Sequence, residues 1–516
     1  MTLIHSKTVP YSTVQFNIGT ITIMDQSALP SFFRRVACRK ALMPLAAALC
    51  LAGCAQLPDA PPKTALNTVE SYGTDTLPLN AEAGWPTQQW WRSYGDSQLN
   101  ALIDEALANS PDMTIAAARL RSAEARGQQA RSALLPQLSA AATASQQRQS
   151  YNYLLPREMS PIGWKEYGQA TLDLSWELDF WGKNRASLAA ASSLVEATRA
   201  EQYQARLALA AAVAMAYADL AQYHAERDSV ASIVDARQKT AALFEKRYRN
   251  GMETRSALHI AHSRLAGAQG ELQALDERIQ LTRYQLAGLM GAGPDRALTI
   301  KRPQINLHTV PGLPPQLPLN LLGRRPDIVA ARLMAQAQEN EVSARKAAFY
   351  PNVNLTAFIG FQALGLDNLI ESGSKFGNAG PAIWLPVFSG GRLRGELRGA
   401  MAEYDIAAAR YNATLTHALQ EVASAGMSQQ ALSAQIASAQ TAANEASEAW
   451  RVVSKRYEGG LATYIDVLYA QDSVLECQRR LAITQSRAFA IDIALQRALG
   501  GGYQQPQDEA KGSDDV

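Results

Sequence analysis

Few side chains in this sequence of 516 residues have the types and spacing that catalysis, metal binding or phosphate binding requires. His259 and His262 are three residues apart, which would place both imidazoles on one face of a helix, where they could share a metal ion. Protein metal sites of this kind need at least three ligands, and no third ligand lies near the two histidines in the sequence. We therefore expect no metal site.

Glycines at 288, 291 and 293 resemble a glycine-rich phosphate loop. Such a loop opens a helix after a strand, whereas these glycines end a predicted helix, where they fit a C-terminal cap. No serine, cysteine or threonine lies in an arrangement typical of a nucleophile and its base. The sequence thus predicts neither an enzyme nor a cofactor.

Three of the four cysteines fall in the first 54 residues. An apolar run over 41–51 follows a basic patch and ends in the string Leu-Ala-Gly-Cys at Cys54. A basic patch, about ten apolar residues and small residues at the cleavage position predict a secretory signal peptide over 1–53. The string resembles the bacterial lipobox, in which the cysteine receives lipid after cleavage; the alternative is an ordinary signal peptide. We expect lipid on Cys54 and a lipid-anchored segment over 54–96.

The overall charge is almost balanced, with 49 basic and 47 acidic residues, so nothing favours nucleic-acid binding. Cleavage before Cys54 would remove five basic residues and one acidic residue, leaving 44 and 46. Aromatic residues make up 7% of the chain while alanine is abundant, which suits long packed helices. Cys477 would then be the remaining free cysteine, so disulfides cannot stabilise the exported chain.

The chain repeats itself. Pro111-Asp112 precedes Pro136 by the same interval that separates Pro326-Asp327 from Pro351, at an offset of 215 residues. A Lys-Arg-Tyr string with a following glycine recurs at an offset of 209, beginning at Lys246 and Lys455. Matching strings in one order predict a duplication. We assign a first repeat to 97–300, a proline-rich connector to 301–320, a second repeat to 321–502 and a polar tail to 503–516.

Each repeat contains the same predicted elements. A helix opens it (99–134 and 326–348), two strand candidates follow, a very long helix comes next (185–248 and 392–457), and a turn leads to a last helix (252–290 and 461–499). A helix of that length reaches about 95 Å. No ordinary domain needs such a helix, and the abundance of alanine favours close packing as in a coiled coil.

The strand candidates show a period of two residues. Alternation is regular over 170–180, where apolar residues from Ala170 to Phe180 share one face and polar residues share the other. It is similar over 352–361 and weaker over 137–145. Ala382, Trp384, Pro386 and Phe388 predict a fourth strand on a common face, weakened by its prolines.

Strands of about ten residues have the length of a tilted transmembrane strand. Only a closed barrel satisfies strand backbones in lipid, and barrels begin at eight strands, so four strands require further copies of the chain. The alternative is a soluble sandwich packed on the helices. The length of the helices argues against the sandwich, because no compact core would cover them.

With these elements placed, the chain resembles the outer-membrane efflux proteins, the TolC-like channels, and their lipoprotein branch in particular. The resemblance covers about 85–502 and depends on several strings together, among them Arg325-Pro326-Asp327, Phe349-Tyr350-Pro351, Phe388-Ser389-Gly390-Gly391-Arg392 and Gly500-Gly501-Gly502-Tyr503. It implies a mainly α-helical homotrimer with a transmembrane β-barrel. Three chains with four strands each would complete a twelve-stranded barrel, and long helical hairpins would form an α-barrel in the periplasm.

The resemblance also implies partners, a location and a route for exported molecules. The partners are a periplasmic adaptor (membrane fusion protein), an inner-membrane pump and outer-membrane lipid. The protein would be lipid-anchored in the outer membrane, extend into the periplasm and act as a passive exit duct for toxic small molecules. An export duct for proteins and an envelope spacer lipoprotein without a pore remain as alternatives.

Two sets of site residues follow from the resemblance. The family's adaptor docks on the turns between helices, which here carry the residues Gly251, Thr254, Gly460, Leu461 and Thr463. A glycine suits such a reversal and a threonine suits a helix cap, so capping alone is the simpler interpretation.

The second set is a periplasmic gate after the second turn. Asp466 matches an aspartate position of the family, and Tyr469 stands where a second acidic residue is expected, which puts a doubled acidic ring in doubt. Arg456 and Tyr457 are the expected tethers between neighbouring helices in the closed state. A solvated surface aspartate is the alternative for Asp466.

Overall fold

A computed structural model describes residues 62–72, 80, 83–150, 152, 158–305, 313–314 and 317–505. The predicted signal peptide, Cys54 and most of the polar tail lie outside these residues. The helices are α1 (Ser97–Asn109), α2 (Pro111–Ser132), α3 (Lys183–Arg249), α4 (Arg255–Leu289), α5 (Pro294–Ala297), α6 (Leu317–Arg324), α7 (Pro326–Ala347), α8 (Arg392–Glu458) and α9 (Tyr464–Ala498). The strands are β1 (Gln137–Gln147), β2 (Lys165–Leu178), β3 (Asn352–Leu364) and β4 (Lys375–Trp384).

The predicted duplication is visible in the helices. The long helices α3 and α8 each contain 67 residues, about 100 Å, and their partners α4 and α9 each contain 35. Both long helices begin after a glycine with positive φ, Gly182 at 76° and Gly391 at 89°. Each half therefore forms an antiparallel helical hairpin of the same size, as the repeated strings predict.

The first predicted helix, 99–134, is wrong as a single element. It is two helices, because Pro111 has no backbone N–H to continue the first one. Ser110 sits at the break in an extended conformation, and its hydroxyl accepts a hydrogen bond from the backbone N–H of Asp112 at 3.3 Å. The break starts the second helix with a cap and a proline at its first position.

The four strands form one antiparallel sheet in the order β1-β2-β3-β4. Their register confirms the alternation of β2 and β3, since Leu172 lies opposite Ile359 and Asp173 lies opposite Phe358. Apolar residues thus cover one face, and mostly polar or small residues cover the other. On the apolar face Ile359 remains 68% exposed and Ile383 71% exposed.

The predicted fourth strand is wrong in its bounds and in its face. β4 ends at Trp384, so Pro386 and Phe388 lie beyond it. Ala382 pairs with Asn354 on the polar face, whereas Ile383 pairs with Val353 on the apolar one. One proline and two glycines in this strand, Pro381, Gly377 and Gly380, hide its alternation in the sequence.

The main core lies midway along the helices, where α1 and the 3-10 turn Trp90–Tyr94 pack on α3, α4 and α9. Its largest fully buried side chains include Trp91, Tyr94, Leu99, Leu102, Tyr217 and Leu286. Asp96 caps α1 and also accepts a hydrogen bond from the Tyr217 hydroxyl at 2.7 Å. The Tyr94 hydroxyl donates to Asp492 at 2.6 Å, and burial raises the pKa of that carboxyl. These bonds hold the Trp90–Tyr94 turn and the start of α1 against both hairpins.

A buried arginine ties the second half together at the same level. Arg325 is 5% exposed, and its guanidinium forms ion pairs with Asp327 at 2.6 Å and Glu421 at 2.8 Å. It also donates to the backbone carbonyl of Ala498 at 3.1 Å. One side chain therefore joins the start of α7, the middle of α8 and the end of α9. This network gives the Arg-Pro-Asp string a structural role.

Removing Arg325 should leave Asp327 without its ion pair and Glu421 paired with Arg497. We expect Arg325→Met to destabilise the protein by about 3–5 kcal/mol, since loss of one partner leaves buried charge unpaired. Arg345→Met, near the other end of α7, removes part-exposed ion pairs with Glu341 and Glu396 and should cost less than about 1 kcal/mol. Thermal melting followed by circular dichroism measures both. Equal melting temperatures for the two variants would contradict this role of Arg325.

Candidate functional site

The two hairpin turns have the same geometry. Gly251 and Gly460 both adopt a φ of 73°, and their N–H groups donate to Tyr248 and Tyr457 respectively. The residue after each glycine closes the turn with a second backbone bond, from Met252 to Arg247 and from Leu461 to Arg456. Positive φ at this position makes glycine the fitting residue.

Each turn ends on a threonine cap. The Thr254 hydroxyl accepts from the N–H of Ala257 at 3.2 Å, and Thr463 has the same relation to Asp466. Outside these caps the turns present apolar side chains to solvent: Leu461 is 73% exposed and Met252 is 59% exposed. The turns are therefore rigid loops with exposed apolar tips.

The predicted gate residue Asp466 takes part in the second cap. Its carboxylate accepts from the Thr463 backbone N–H at 2.8 Å and from the Thr463 hydroxyl at 2.7 Å. These donors, the hydroxyl first, lower the pKa of Asp466 below its usual value, so the group stays charged near neutral pH. Tyr469 follows three residues later on α9 and is 67% exposed.

The predicted tethers make contacts within this chain. Arg247 donates to the Tyr457 hydroxyl at 2.5 Å and lies over the same ring, which joins the first hairpin to the second. Arg456 donates to the backbone carbonyl of Leu461, at 3.4 Å, within its own hairpin. Arg247 was not named from the sequence, although the 209-residue offset makes it the equivalent of Arg456.

A second link between the hairpins lies further along α9 from the turn, and the sequence does not predict it. Asp472 on α9 forms ion pairs with Arg237 at 2.8 Å and with Arg264 at 2.5 Å. Further along α9, Arg479 pairs with Glu271 at 3.0 Å. These pairs bind α9 to both helices of the first hairpin. No local sequence signal marks them, because each joins residues more than 200 positions apart.

The sheet meets the helices at an aromatic boundary. Trp181 stacks on Tyr350 with ring centroids 4.8 Å apart, and its indole N–H donates to the Pro351 carbonyl at 2.9 Å. Phe180 and Trp384 are also more than half exposed at this level. Aromatic side chains of this kind favour the boundary between lipid and water.

An extended N-terminal segment lies along α8. The Thr64 N–H donates to Asp405 at 2.9 Å, the Asn67 N–H donates to Asn412 at 2.8 Å, and Lys63 pairs with Glu339 at 2.6 Å. Val69 is fully buried at the end of this contact. The segment is held against α7 and α8 by specific bonds.

Within the described ranges no group of three or more potential metal ligands occurs. His259 and His262 follow each other on α4 with no third ligand beside them. The described helices also include none that is long and apolar enough to cross a membrane. Cys477, on α9, is a half-buried free thiol.

Comparison with known proteins identifies the family to which this fold belongs. The family of outer membrane efflux proteins matches residues 102–292 and 317–501. The fusaric acid resistance protein FusA of Burkholderia cepacia is 37% identical over 369 residues, covering 70% of this chain and 69% of that protein. The multidrug resistance outer membrane protein MdtQ of Escherichia coli O6:H1 is 31% identical over 492 residues, covering 92% and 99%.

Solved structures of outer-membrane proteins have a similar fold. The outer membrane protein VceC of Vibrio cholerae superposes with a TM-score of 0.78 at 45% identity, covering 81% of this chain and 100% of that one. The outer-membrane channel OprN gives a TM-score of 0.76 at 27% identity, covering 84% and 98%. The matched ranges contain the helical hairpins and the sheet described above. The chain belongs to the outer membrane efflux protein family, whose members form export channels in the outer membrane.

Proposed function

We propose that three copies of this chain form one exit duct, and the observation that carries the proposal is the unfinished sheet. In the described part of the chain, β1 and β4 each have one neighbour in the sheet, so each leaves a row of backbone groups without a strand partner. Lipid cannot satisfy those groups. The last strand of one copy would pair with the first strand of the next, and three copies would close a twelve-stranded barrel.

The long helices would continue the duct into the periplasm. At about 100 Å they are far longer than a bilayer is thick. Two hairpins per copy, arranged around the same axis as the barrel, would enclose a tunnel. The half-buried small residues along α3 and α8 support close contact with neighbouring helices.

The turns at Gly251 and Gly460 are the proposed docking tips for a periplasmic adaptor. Their exposed Met252 and Leu461 side chains sit on rigid, capped loops, which suits a preformed contact surface. The sites offered for adaptor contact are Gly251, Thr254, Gly460, Leu461 and Thr463. Since the duct is passive, an inner-membrane pump would supply the energy for transport.

The exported molecules are proposed to be toxic small molecules. The relatives named above carry the names multidrug resistance and fusaric acid resistance. Export of drugs or of small aromatic acids is therefore the class of activity that this chain would share. The sheet with its exposed apolar face argues against a spacer without a pore.

A lipid on Cys54 would add a second attachment to the membrane. Contacts of the N-terminal segment move from Asn412 to Asp405 as the chain is followed back from Asn67 to Thr64, towards the end of α8 that adjoins the sheet. Eight residues lie between Cys54 and Lys63, and the nine steps from one Cα atom to the other span at most about 30 Å. That reach supports a lipid inserted beside the barrel.

A closed state would be held at the periplasmic end by the second hairpin. Asp466 and Tyr469 lie on α9, and three copies would bring two stacked rings to the axis, one charged and one aromatic. The bond from Arg247 to Tyr457 and the Asp472 ion pairs would hold α9 against the first hairpin until the adaptor engages. Arg456 and Tyr457 complete the proposed gate.

The duct is tested by the mass and conductance of the purified protein. Native mass spectrometry in detergent should give three copies, and the same preparation should form ion-conducting pores in planar bilayers. A stable monomer that forms no pores would overturn the proposal.

The first prediction for the duct tests whether one face of β2 contacts lipid and the other faces the lumen. Leu174→Arg should lower the yield of heat-resistant trimers, because a charge on the lipid side of a barrel costs about 2–4 kcal/mol at mid-membrane. Asp173→Asn, on the neighbouring residue and the opposite face, should leave the yield unchanged. Semi-denaturing gels measure both, and equal tolerance would count against a barrel face at Leu174.

The second prediction concerns the lipid. Cys54→Ser should remove the lipid and reduce the outer-membrane fraction of the protein, while the copies that arrive still form trimers. Mass spectrometry of the mature wild-type protein should find lipid on the Cys54 sulfur and amino group. An unmodified Cys54 in that protein would rule the lipid out.

The third prediction concerns the gate. Tyr469→Ala should raise single-channel conductance in planar bilayers, because it removes aromatic bulk from the proposed constriction. Asp466→Asn should lower the preference for cations with little change in conductance, because it removes one charge per copy. If neither conductance nor selectivity changed, the constriction would have to lie elsewhere.

A further inference from the structure

The polar face of the sheet carries two aromatic residues side by side. Phe358 on β3 lies opposite Asp173 on one side and Asn378 on the other, which places it on the polar face. Phe376 on β4 lies opposite Gly360, on the same face. The two rings are 5.2 Å apart between centroids and inclined by 59°.

Packing within the chain explains only one of them. Phe376 covers Gly360, where a side chain would meet the β2 backbone, and an aromatic ring opposite a strand glycine is a familiar way to stabilise a sheet. The residues directly opposite Phe358 are Asp173 and Asn378 rather than glycines, and both rings remain half-buried. Neighbouring positions of this face on β3 hold Asn354, Thr356 and Gln362. An apolar spot therefore interrupts a polar surface.

A carboxylate lies next to this spot. Asp173 accepts a hydrogen bond from the Thr171 hydroxyl at 2.8 Å, and in the described part of the chain no lysine or arginine forms an ion pair with it. A carboxylate beside aromatic rings suits a ligand that is both positively charged and aromatic. The rings attract a cation through their faces and stack with an aromatic group, while the carboxylate balances the charge.

We propose that Asp173, Phe358 and Phe376 form a contact site for aromatic cations on the lumenal wall of the barrel. The inference rests on the proposed duct, in which the polar face of the sheet lines the lumen, and goes beyond it by naming a class of exported molecule and the residues that meet it. Three copies of the site would surround the lumen at one level. Each contact is weak and partly hydrated, as passage requires, because a molecule must also leave the site.

The experiment is block of potassium current through single wild-type channels in planar bilayers by two cations of equal charge. Benzyltrimethylammonium carries an aromatic ring and tetramethylammonium does not. The wild-type channel should be blocked more strongly by the benzyl cation. Phe358→Leu combined with Phe376→Leu should reduce that preference by about two- to fivefold, the range expected for loss of an exposed cation–aromatic contact.

Two further variants separate the parts of the site. Asp173→Asn should weaken block by both cations and leave their ratio unchanged. Phe361→Leu alters a phenylalanine on the apolar face of the same strand and should leave both values unchanged. Each variant is first shown to form trimers in wild-type yield, and Phe358→Leu alone replaces the double variant if that one assembles poorly.

The outcomes distinguish the site from the duct. Wild-type current without preference for the benzyl cation, or an unchanged preference in the phenylalanine variants, would overturn the site and leave the duct intact. The same loss in Phe361→Leu would also overturn it. No current from the wild-type protein would contradict the duct, and the site would fall with it.

Discussion

The constraint on which the structure depends is the demand that every backbone N–H and C=O in lipid find a partner. A single chain supplies four strands, with β1 and β4 at the edges of the sheet. Its apolar face is left exposed, as at Ile359 and Ile383. Both features would be serious liabilities in an isolated soluble domain. They become consistent once copies of the chain complete one another in a membrane.

The helices, like the sheet, are not self-sufficient in a single chain. Two hairpins of equal size, each about 100 Å long, have too little core to stand alone, and many of the buried side chains of α3 and α8 away from the middle are small alanines. Specific contacts at several heights along the helices compensate for this small core. Arg325 and the Trp90–Tyr94 turn fix the middle, capped turns close the ends, and Asp472 joins the hairpins between them. Duplication explains why the two hairpins have equal lengths.

Much of this fold could be predicted from the sequence because its signals are local and repeated. Strict alternation marked β2, and the recurring strings fixed the long helices to within two residues. The sequence does not predict β4 correctly, because Pro381 and four glycine or alanine residues hide its alternation, and Ala382 is therefore assigned to the wrong face. The break at Ser110 can be predicted from Pro111, which has no backbone N–H to continue the first helix. The bond from Arg247 to Tyr457 could not be predicted, because it joins positions 210 residues apart that only the folded hairpins bring together.

The central claim is that β4 of one copy pairs with β1 of the next. It is tested most directly by disulfide cross-linking in a Cys477→Ser background, with one cysteine replacing Ala379 on β4 and a second placed in turn at Leu138, Ala140, Ala142 or Ala144 on β1. All of these positions face the apolar side of the sheet. The account predicts that one pair gives covalent dimers and trimers on non-reducing gels, and that reduction returns them to monomers. Monomers alone at every pair would contradict a barrel closed between copies.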